Sequence, residues 1–297
     1  MAALPRFQLR DLADPPVIVA YVPRGGGAST LLGSLLIEGQ RDARIAGAVV
    51  VTDRLPPGGT YMGGIGGLVR DACPSAVLAS MIEYQRGSGG GVGAMARLAL
   101  VVDDVASSTT RKALKNEAFQ TRLKMAKDYN IMVLIATSDV NTLPANVPTF
   151  ATHVMTTRSV FVNDAKVAQK RLFPMLSGDE LSDVLKSCLA YQFVVGVLRG
   201  SGSSSGSGSG SASEDESGEG PEAAAAPTPA AYAGMLQMYA PTYYVRDATC
   251  AAPQHMWPAG EGGCVRAPES LHCATFTMAP PLVALLSAAV DSRSSAL

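Results

Sequence analysis

Five short runs of apolar, largely β-branched residues constrain the fold of this chain more than any other feature. They are Val17–Val22, Ile45–Thr52, Leu98–Val102, Ile131–Thr137 and Phe193–Leu198. None alternates strictly between apolar and polar residues, which is the pattern of parallel strands buried on both faces. Helical stretches lie between them at Ser29–Glu38, Pro74–Gln85, Ser107–Tyr129 and Asp179–Leu189. Ser107 or Ser108 is placed to cap the third helix, and Ser177 or Asp179 the fourth. This alternation predicts an α/β fold, a doubly wound, mostly parallel sheet flanked by helices. The 297 residues suffice for one sizeable domain plus an appendage.

The composition changes at Gly200. Residues 200–230, "GSGSSSGSGSGSASEDESGEGPEAAAAPTPA", are rich in Gly and Ser and then acidic. Such a segment buries too little apolar surface to offset its ordering entropy, so the sequence predicts a disordered linker. Residues 231–297 read as a Pro/Ala-rich tail, irregular apart from one strand added to the domain of residues 1–199. Glycine clusters at Gly58–Gly67 and Gly87–Gly93 read as mobile loops. The globular part carries a charge balance of +5 and the remainder −6, a weak pointer to a polyanionic partner. Five cysteines without regular spacing fit a reducing compartment. No stretch has the layout of a signal peptide, and "PLVALLSAAV" falls short of the roughly 20 residues that span a bilayer. The expectation is a soluble, intracellular protein without a membrane partner.

Between the first strand and the first helix stands "VPRGGGAST", residues 22–30. A phosphate-binding loop of the pattern G-x-x-x-x-G-K-[ST] occupies this place between strand and helix. Its N–H groups cradle phosphates, its lysine reaches the β- and γ-phosphates, and its hydroxyl holds Mg²⁺. In this chain Gly27 is the last glycine, Ser29 the hydroxyl and Thr30 its neighbour. Val22 replaces the first glycine and Ala28 the lysine. Gly25, Gly26 and Gly27 keep the backbone free to curl, so the anion nest can survive without its point charge. Arg24 can offer a charge from the loop, although a guanidinium fork is no substitute for an ammonium group. A strand-to-helix glycine turn with no ligand satisfies the same residues.

The run "ARLALVVDDVASS" bears on that choice. An apolar strand ending in Asp103 and Asp104 has the form of a Walker B element, in which one carboxylate holds Mg²⁺ and a second orients the attacking water. Two solvated aspartates capping a strand end are the plainer alternative.

With both motifs in place, the order of elements resembles the genome-packaging ATPases of nucleocytoplasmic large DNA viruses, the poxvirus type. These are relatives of the FtsK/HerA-type DNA translocases, within the P-loop NTPases. The resemblance covers residues 15 to about 199. It rests on the loop, on a helix ending at Gln85 ("VLASMIEYQ"), on the DD pair, and on "NEAFQTRLKMAKDYNIMVLIAT". It continues through "LPANVP" and "LFPMLSGDELSDVLKSCLAYQFVVGVL", with "MYAPTYYV" similar to a terminal aromatic strand. It implies ATP-driven translocation of double-stranded DNA into a capsid, with ATP and Mg²⁺ as cofactors. Capsid or packaging components would be partners, the assembly a homo-oligomeric ring, and the location the infected host cell, its viral factory, or the virion. On the matching positions, Gly25, Gly26, Gly27, Ala28, Ser29 and Thr30 would hold the nucleotide. Ser29 and Asp103 would hold Mg²⁺, and Asp104 would position water.

The chain departs from that pattern at Ala28, at Ser138-Asp139 where the family has a polar amide, and at Ala151 where it has a finger arginine. A finger alone is worth about 10³–10⁵ in rate. The losses imply a catalytically degenerate ATPase. The alternative is a non-catalytic pseudo-ATPase serving as an assembly or DNA-binding component. An unrelated α/β protein with a similar loop is a third possibility.

Three further groups of residues complete the reading. On one continuous helix from Ser107 to Tyr129, Arg111, Lys115 and Arg122 fall within about 40° of one another, a stripe suited to duplex phosphates or simply a solvated face. Phe119, Leu123 and Ala126 share another stripe and read as core. Cys250, His255, Cys264, His272 and Cys273 lack the close pairs that structural zinc needs, and His153 reads as a packed or surface histidine.

Overall fold

The structure, a computed structural model, describes residues 4–12, 14–41, 45–52, 67–70, 73–87, 95–103, 105, 108–158, 162–189, 192–198, 236–241, 257–259 and 263–265. Asp104, the linker of residues 200–230, the glycine clusters except Gly67 and Gly87, and Cys250, His255, His272 and Cys273 lie outside the described residues.

One sheet holds β1 (Val17–Tyr21), β2 (Gly47–Thr52), β3 (Gly67–Arg70), β4 (Leu98–Asp103), β5 (Ile131–Thr137), β6 (His153–Thr157), β7 (Phe193–Val197) and β8 (Leu236–Tyr239). Their order across it is β3-β2-β4-β5-β1-β6-β7-β8. The first six strands are mutually parallel, and β7 and β8 add antiparallel at one edge. The helices are α1 (Ala28–Arg41), α2 (Pro74–Gly87), α3 (Ser108–Lys115), α4 (Glu117–Met125), α5 (Val162–Leu172) and α6 (Gly178–Ser187).

The sheet divides the core in two. On one face, Leu31, Leu32, Leu35 and Leu36 of α1 pack with Ile18, Ala20, Ala48, Val50, Ala99, Val101, Leu134 and Ala136. On the other, residues of α2 to α6 pack with Val19, Val49, Val51, Leu100, Val102, Val133 and Ile135. β1, β2, β4 and β5 therefore send alternate apolar residues to both faces, as a sheet covered on both sides requires. Phe119, Leu123 and Ala126 are buried on the second face.

The stretch expected as one helix from Ser107 to Tyr129 is two helices and a turn. Asn116 interrupts it: its side chain accepts from the Ala118 N–H at 2.8 Å and caps α4. An Asn that bonds its local backbone competes with helix continuation. Residues 126–129 then tighten into a single 3-10 turn, closed by Asn130 at φ 52°. Asn tolerates this left-handed backbone, and here its amide also donates to Met95 O at 2.7 Å while its oxygen accepts from Arg97 Nε at 3.2 Å. Ser177 is the cap of α6, in a reciprocal box with Glu180.

One strand of the tail joins the sheet. β8 pairs with β7, and its outer side is covered by the N-terminal segment, where Phe7 N–H donates to Met238 O and Met238 N–H to Pro5 O, both at 2.8 Å. Tyr239 is 1% exposed and donates its hydroxyl to Ser34 Oγ of α1 at 2.9 Å. Burial first, then the charge of Glu38, holds that hydroxyl well above the ordinary phenol range, so it stays protonated. The edges of Phe7 and Tyr239 meet at 6.0 Å between centroids. Residues 236–239 thus belong to the same sheet as the first 199 residues. Two short strands, β9 (Trp257–Ala259) and β10 (Gly263–Val265), pair antiparallel in the part expected to be irregular.

Two substitutions separate packing from hydrogen bonding at this closure. Tyr239→Ala should cost about 3–5 kcal/mol, as for truncating a large buried ring. Tyr239→Phe should cost about 1 kcal/mol, the worth of one net hydrogen bond. Urea denaturation of the full chain measures both, and equal small losses would show that β8 does not close the core.

Candidate functional site

In an open α/β sheet, ligands bind outside the carboxyl ends of the strands where the strand order reverses. Here that point is β1. From β1 the chain passes through α1 to β2 on one side, and from β5 it steps across β1 to β6 on the other. The loop that leaves β1 at this point is residues 22–27.

Its conformation needs all three glycines. Gly25 and Gly27 have φ of 79° and 90°, whereas neither Arg24 nor Gly26 takes a left-handed φ. Alternation of this kind turns successive N–H groups toward one concave side, the geometry of an anion nest. Gly26 N–H closes a turn on Pro23 O at 2.8 Å. A Cβ at Gly26 would stand 2.9 Å from Pro23 O, 3.1 Å from Val22 Cγ1 and 3.2 Å from Thr157 Cγ2. Helix α1 follows at once, its first bond running from Leu31 N–H to Gly27 O at 2.8 Å. The N–H groups of the first turn have no partner within a helix and carry the positive end of its dipole. No acidic residue occupies that turn.

Strand alternation fixes what faces this loop. Leu98, Leu100 and Val102 of β4 point away from α1, and Ala99 and Val101 point toward it. Asp103 therefore ends β4 on the α1 face. Val102 lies level with Ile135, and Ile135 with Val19, so Asp103 is level with Ala136 and Ala20. It stands two strands from β1, about 10 Å at the usual strand spacing. Thr52 of β2 is level with Asp103 and on the same face. The same alternation carries Ser138 of the β5 end, and Thr157 of the β6 end, to the α1 side.

Of the Ser138-Asp139 pair, alternation along β5 carries Ser138 and not Asp139 to the α1 side. The Asp139 carboxylate is exposed and accepts from Asn141 N–H at 2.9 Å, within its own turn. Thr137 and Thr142 hydroxyls donate to Asp139 O at 2.8 and 2.6 Å. Arg171 of α5 donates to Val140 O at 3.2 Å and Leu143 O at 3.0 Å, which fastens the loop from behind. Ala151 is buried. Gln85 is also buried and donates to Ala96 O at 2.6 Å, tying the end of α2 to the approach of β4.

Ala28 and Thr30 lie at the start of α1, half-buried, and the backbone of Ser29 lies between them. Asp103 faces the loop side, while Asp104 lies outside the described residues. The basic stripe does not survive: Arg111 and Lys115 are on α3 and Arg122 is on α4, because Asn116 separates the helices. Arg122 is also occupied, donating to Ser75 Oγ at 2.6 Å. Lys124 lies over the Phe150 ring at 5.3 Å and Lys127 pairs with Asp14 at 2.7 Å. His153 is buried against Phe7, and burial lowers its pKa to about 4, which leaves it neutral and inside the core. Among the described residues no group of three His, Cys, Asp or Glu side chains can hold a metal, and no helix is long and apolar enough to cross a membrane. Thr52 and Thr157 went unnoticed in the sequence; β6 in particular, "HVMTT", lacks the apolar run that marks the other strands.

A mixed, mostly parallel α/β sheet with a glycine loop at its switch point and a carboxylate ending a strand on the loop's face has the P-loop NTPase-like fold. No family model matches the chain, and no curated protein matches it. Among solved structures, the genome packaging NTPase B204 from Sulfolobus turreted icosahedral virus 2, in complex with AMPPCP, is similar with a TM-score of 0.47 and 13% identity, over 63% of this chain and 94% of that one. The pCW3 conjugation coupling protein TcpA with ATPγS gives 0.43 and 16% identity, over 63% and 58% of the two chains. The cytoplasmic domain of the Thermomonospora curvata type VII secretion ATPase EccC gives 0.42 and 13%, over 62% and 24%. At these identities and scores the similarity carries no argument about activity, which rests on this chain's own residues.

The loop geometry is testable without any ligand. Gly25→Ala has open space around its Cβ and should cost about 1–2 kcal/mol from left-handed backbone alone. Gly26→Ala meets a backbone oxygen and should cost about 1–3 kcal/mol by overpacking. Denaturation midpoints unchanged in both variants would mean the loop is not held in this form.

Proposed function

We propose that this chain is a nucleotide-binding protein of the DNA-packaging ATPase type whose phosphate loop still binds and whose turnover is crippled. The observation that carries this reading is the loop itself. Three glycines, two of them left-handed and one too crowded for a Cβ, hold N–H groups at the switch point of the sheet. A turn that only joined a strand to a helix would not need all three. Gly25, Gly26, Gly27 and the N–H groups of Ala28, Ser29 and Thr30 would hold phosphates. Asp103, on the loop's face, and Ser29 would hold Mg²⁺, which when bound neutralises phosphate charge. Asp104 is the candidate for positioning water. Double-stranded DNA, capsid or packaging partners and a ring assembly come with the motif resemblance.

Turnover is a separate matter from binding. Ala28 leaves no ammonium to follow charge onto the transferring phosphoryl group, and Ala151 leaves no arginine at the finger position. Stabilisation of this kind acts chiefly in the transition state, so its loss lowers rate more than affinity. The second reading, a pseudo-ATPase acting in assembly, is favoured by the same Ala28; Arg111, Lys115 and Arg122, which it would use toward DNA, stand on two helices rather than one.

The test is nucleotide binding and hydrolysis by the full chain, with and without duplex DNA, beside Asp103→Asn. The reading predicts saturable ATP binding that Mg²⁺ strengthens in the parent and not in the variant, with hydrolysis no faster in the parent than in the variant. No binding at millimolar ATP would leave a glycine turn without a ligand. DNA-stimulated turnover lost in Asp103→Asn would reveal a working motor and contradict the crippled half of the proposal.

A further inference from the structure

Ala28 takes away the cation that lies along a bound polyphosphate, and two arginines are close enough in chain or sheet to matter. Arg24 is the second residue of the turn that Gly26 N–H closes on Pro23 O, with left-handed Gly25 third, the layout of a type II turn. Where successive N–H groups face one concave side, side chains of the same residues project from the other. Arg24 is exposed.

Arg158 has a different placement. β6 is hydrogen-bonded to β1, with Thr156 level with Tyr21. Thr157 and Arg158 are therefore level with Val22 and Pro23, where the loop departs. Thr157 touches the loop, since its Cγ2 lies 3.2 Å from the place of a Gly26 Cβ. Its hydroxyl is anchored on Gln192 O at 2.7 Å, which fixes this strand end. Arg158 is the next residue, exposed, and pairs with no carboxylate among the described residues. Its charge is felt at the Cys188 thiol at the end of α6, where burial nonetheless dominates. By the alternation that carries Thr157 to the α1 side, the Arg158 side chain leaves on the opposite face, so a phosphate in the loop would have to draw it over the strand end.

We propose that Arg158, from the end of β6, supplies to a phosphate chain held by the Gly25–Gly27 loop the positive charge that Ala28 lacks. This rests on the phosphate-loop reading of the site. A guanidinium binds phosphate oxygens in a bidentate fork and cannot be neutralised near pH 7, so it serves as a binding cation although it differs in shape from the missing ammonium.

The experiment uses the full chain and fluorescent mant-AMP, mant-ADP and mant-ATP with Mg²⁺, comparing the parent with Arg158→Ala, Arg158→Lys, Arg24→Ala and Gly26→Val. Arg158→Ala should weaken mant-ATP at least tenfold and mant-AMP less than twofold. Arg158→Lys should recover most of the loss, and Arg24→Ala should stay within twofold of the parent. The graded dependence on phosphate number and the lysine rescue are effects that a merely structural role would not produce. Unchanged mant-ATP affinity in Arg158→Ala, with binding abolished in Gly26→Val, overturns this assignment and leaves the phosphate loop standing. An equal loss for all three nucleotides overturns it too. If the parent binds none of them, or Gly26→Val binds as the parent does, the loop reading fails and Arg158 falls with it.

Discussion

The packing of α1 against one face of the sheet is the constraint from which the site follows. Ala20, Ala48, Ala99 and Ala136 line that face in β1, β2, β4 and β5, and the leucines of α1 fill the space they leave. Ile18, Val50, Val101 and Leu134 share that face with them, whereas the opposite face of the same strands carries Val, Leu, Ile and Tyr21. Small side chains let the helix axis approach, and the helix can then start immediately after a short loop at the end of β1. That start aims unpaired N–H groups at the switch point, and the same alternation that gives α1 its alanines puts Asp103 on its side. Ser34 of α1 is fastened in turn to Tyr239, so the edge strand β8 braces the middle of the helix.

Magnitudes decide what the loss of the loop lysine means. A cation about 4 Å from a phosphate contributes roughly 4 kcal/mol at the effective dielectric of a protein surface. Hydrogen bonds from N–H groups to a charged oxygen contribute about 1.5–3 kcal/mol each. A nest offering three or four such donors outweighs one missing charge for binding. It does not replace that charge where negative charge moves during phosphoryl transfer, because the fixed N–H groups already serve the ground state. Binding retained and turnover lost is the outcome these numbers favour.

Much of this architecture was legible in the sequence, for a definite reason. β1, β2, β4, β5 and β7 are buried on both faces, so apolar runs had to appear where they do. β6 escaped notice because its ends are occupied by His153, Thr156 and Thr157, polar residues that the fold buries against Phe7 and the loop. For β8 the sequence offered one added strand in the tail without its partner, because β7 ends about 40 residues earlier and no local pattern announces so distant a pairing. The helical stripe of Arg111, Lys115 and Arg122 failed through one residue, Asn116, whose side chain prefers a cap to a helix interior. At the site, the glycines and Asp103 could be placed from spacing alone. The placing of Asp139 away from the loop could not, since it depends on where β5 stops and on Asn141 drawing the carboxylate into its own turn.

The central claim is that backbone N–H groups of the loop hold phosphate. The most direct measurement is the movement of amide resonances, in a ¹⁵N-labelled full chain, on titration with Mg²⁺ and pyrophosphate. Saturable shifts should be largest at Gly25, Gly27, Ala28 and Ser29, with smaller ones at Thr157. Shifts confined to other parts of the chain, or none that saturate, would contradict it and leave the loop as a turn between a strand and a helix.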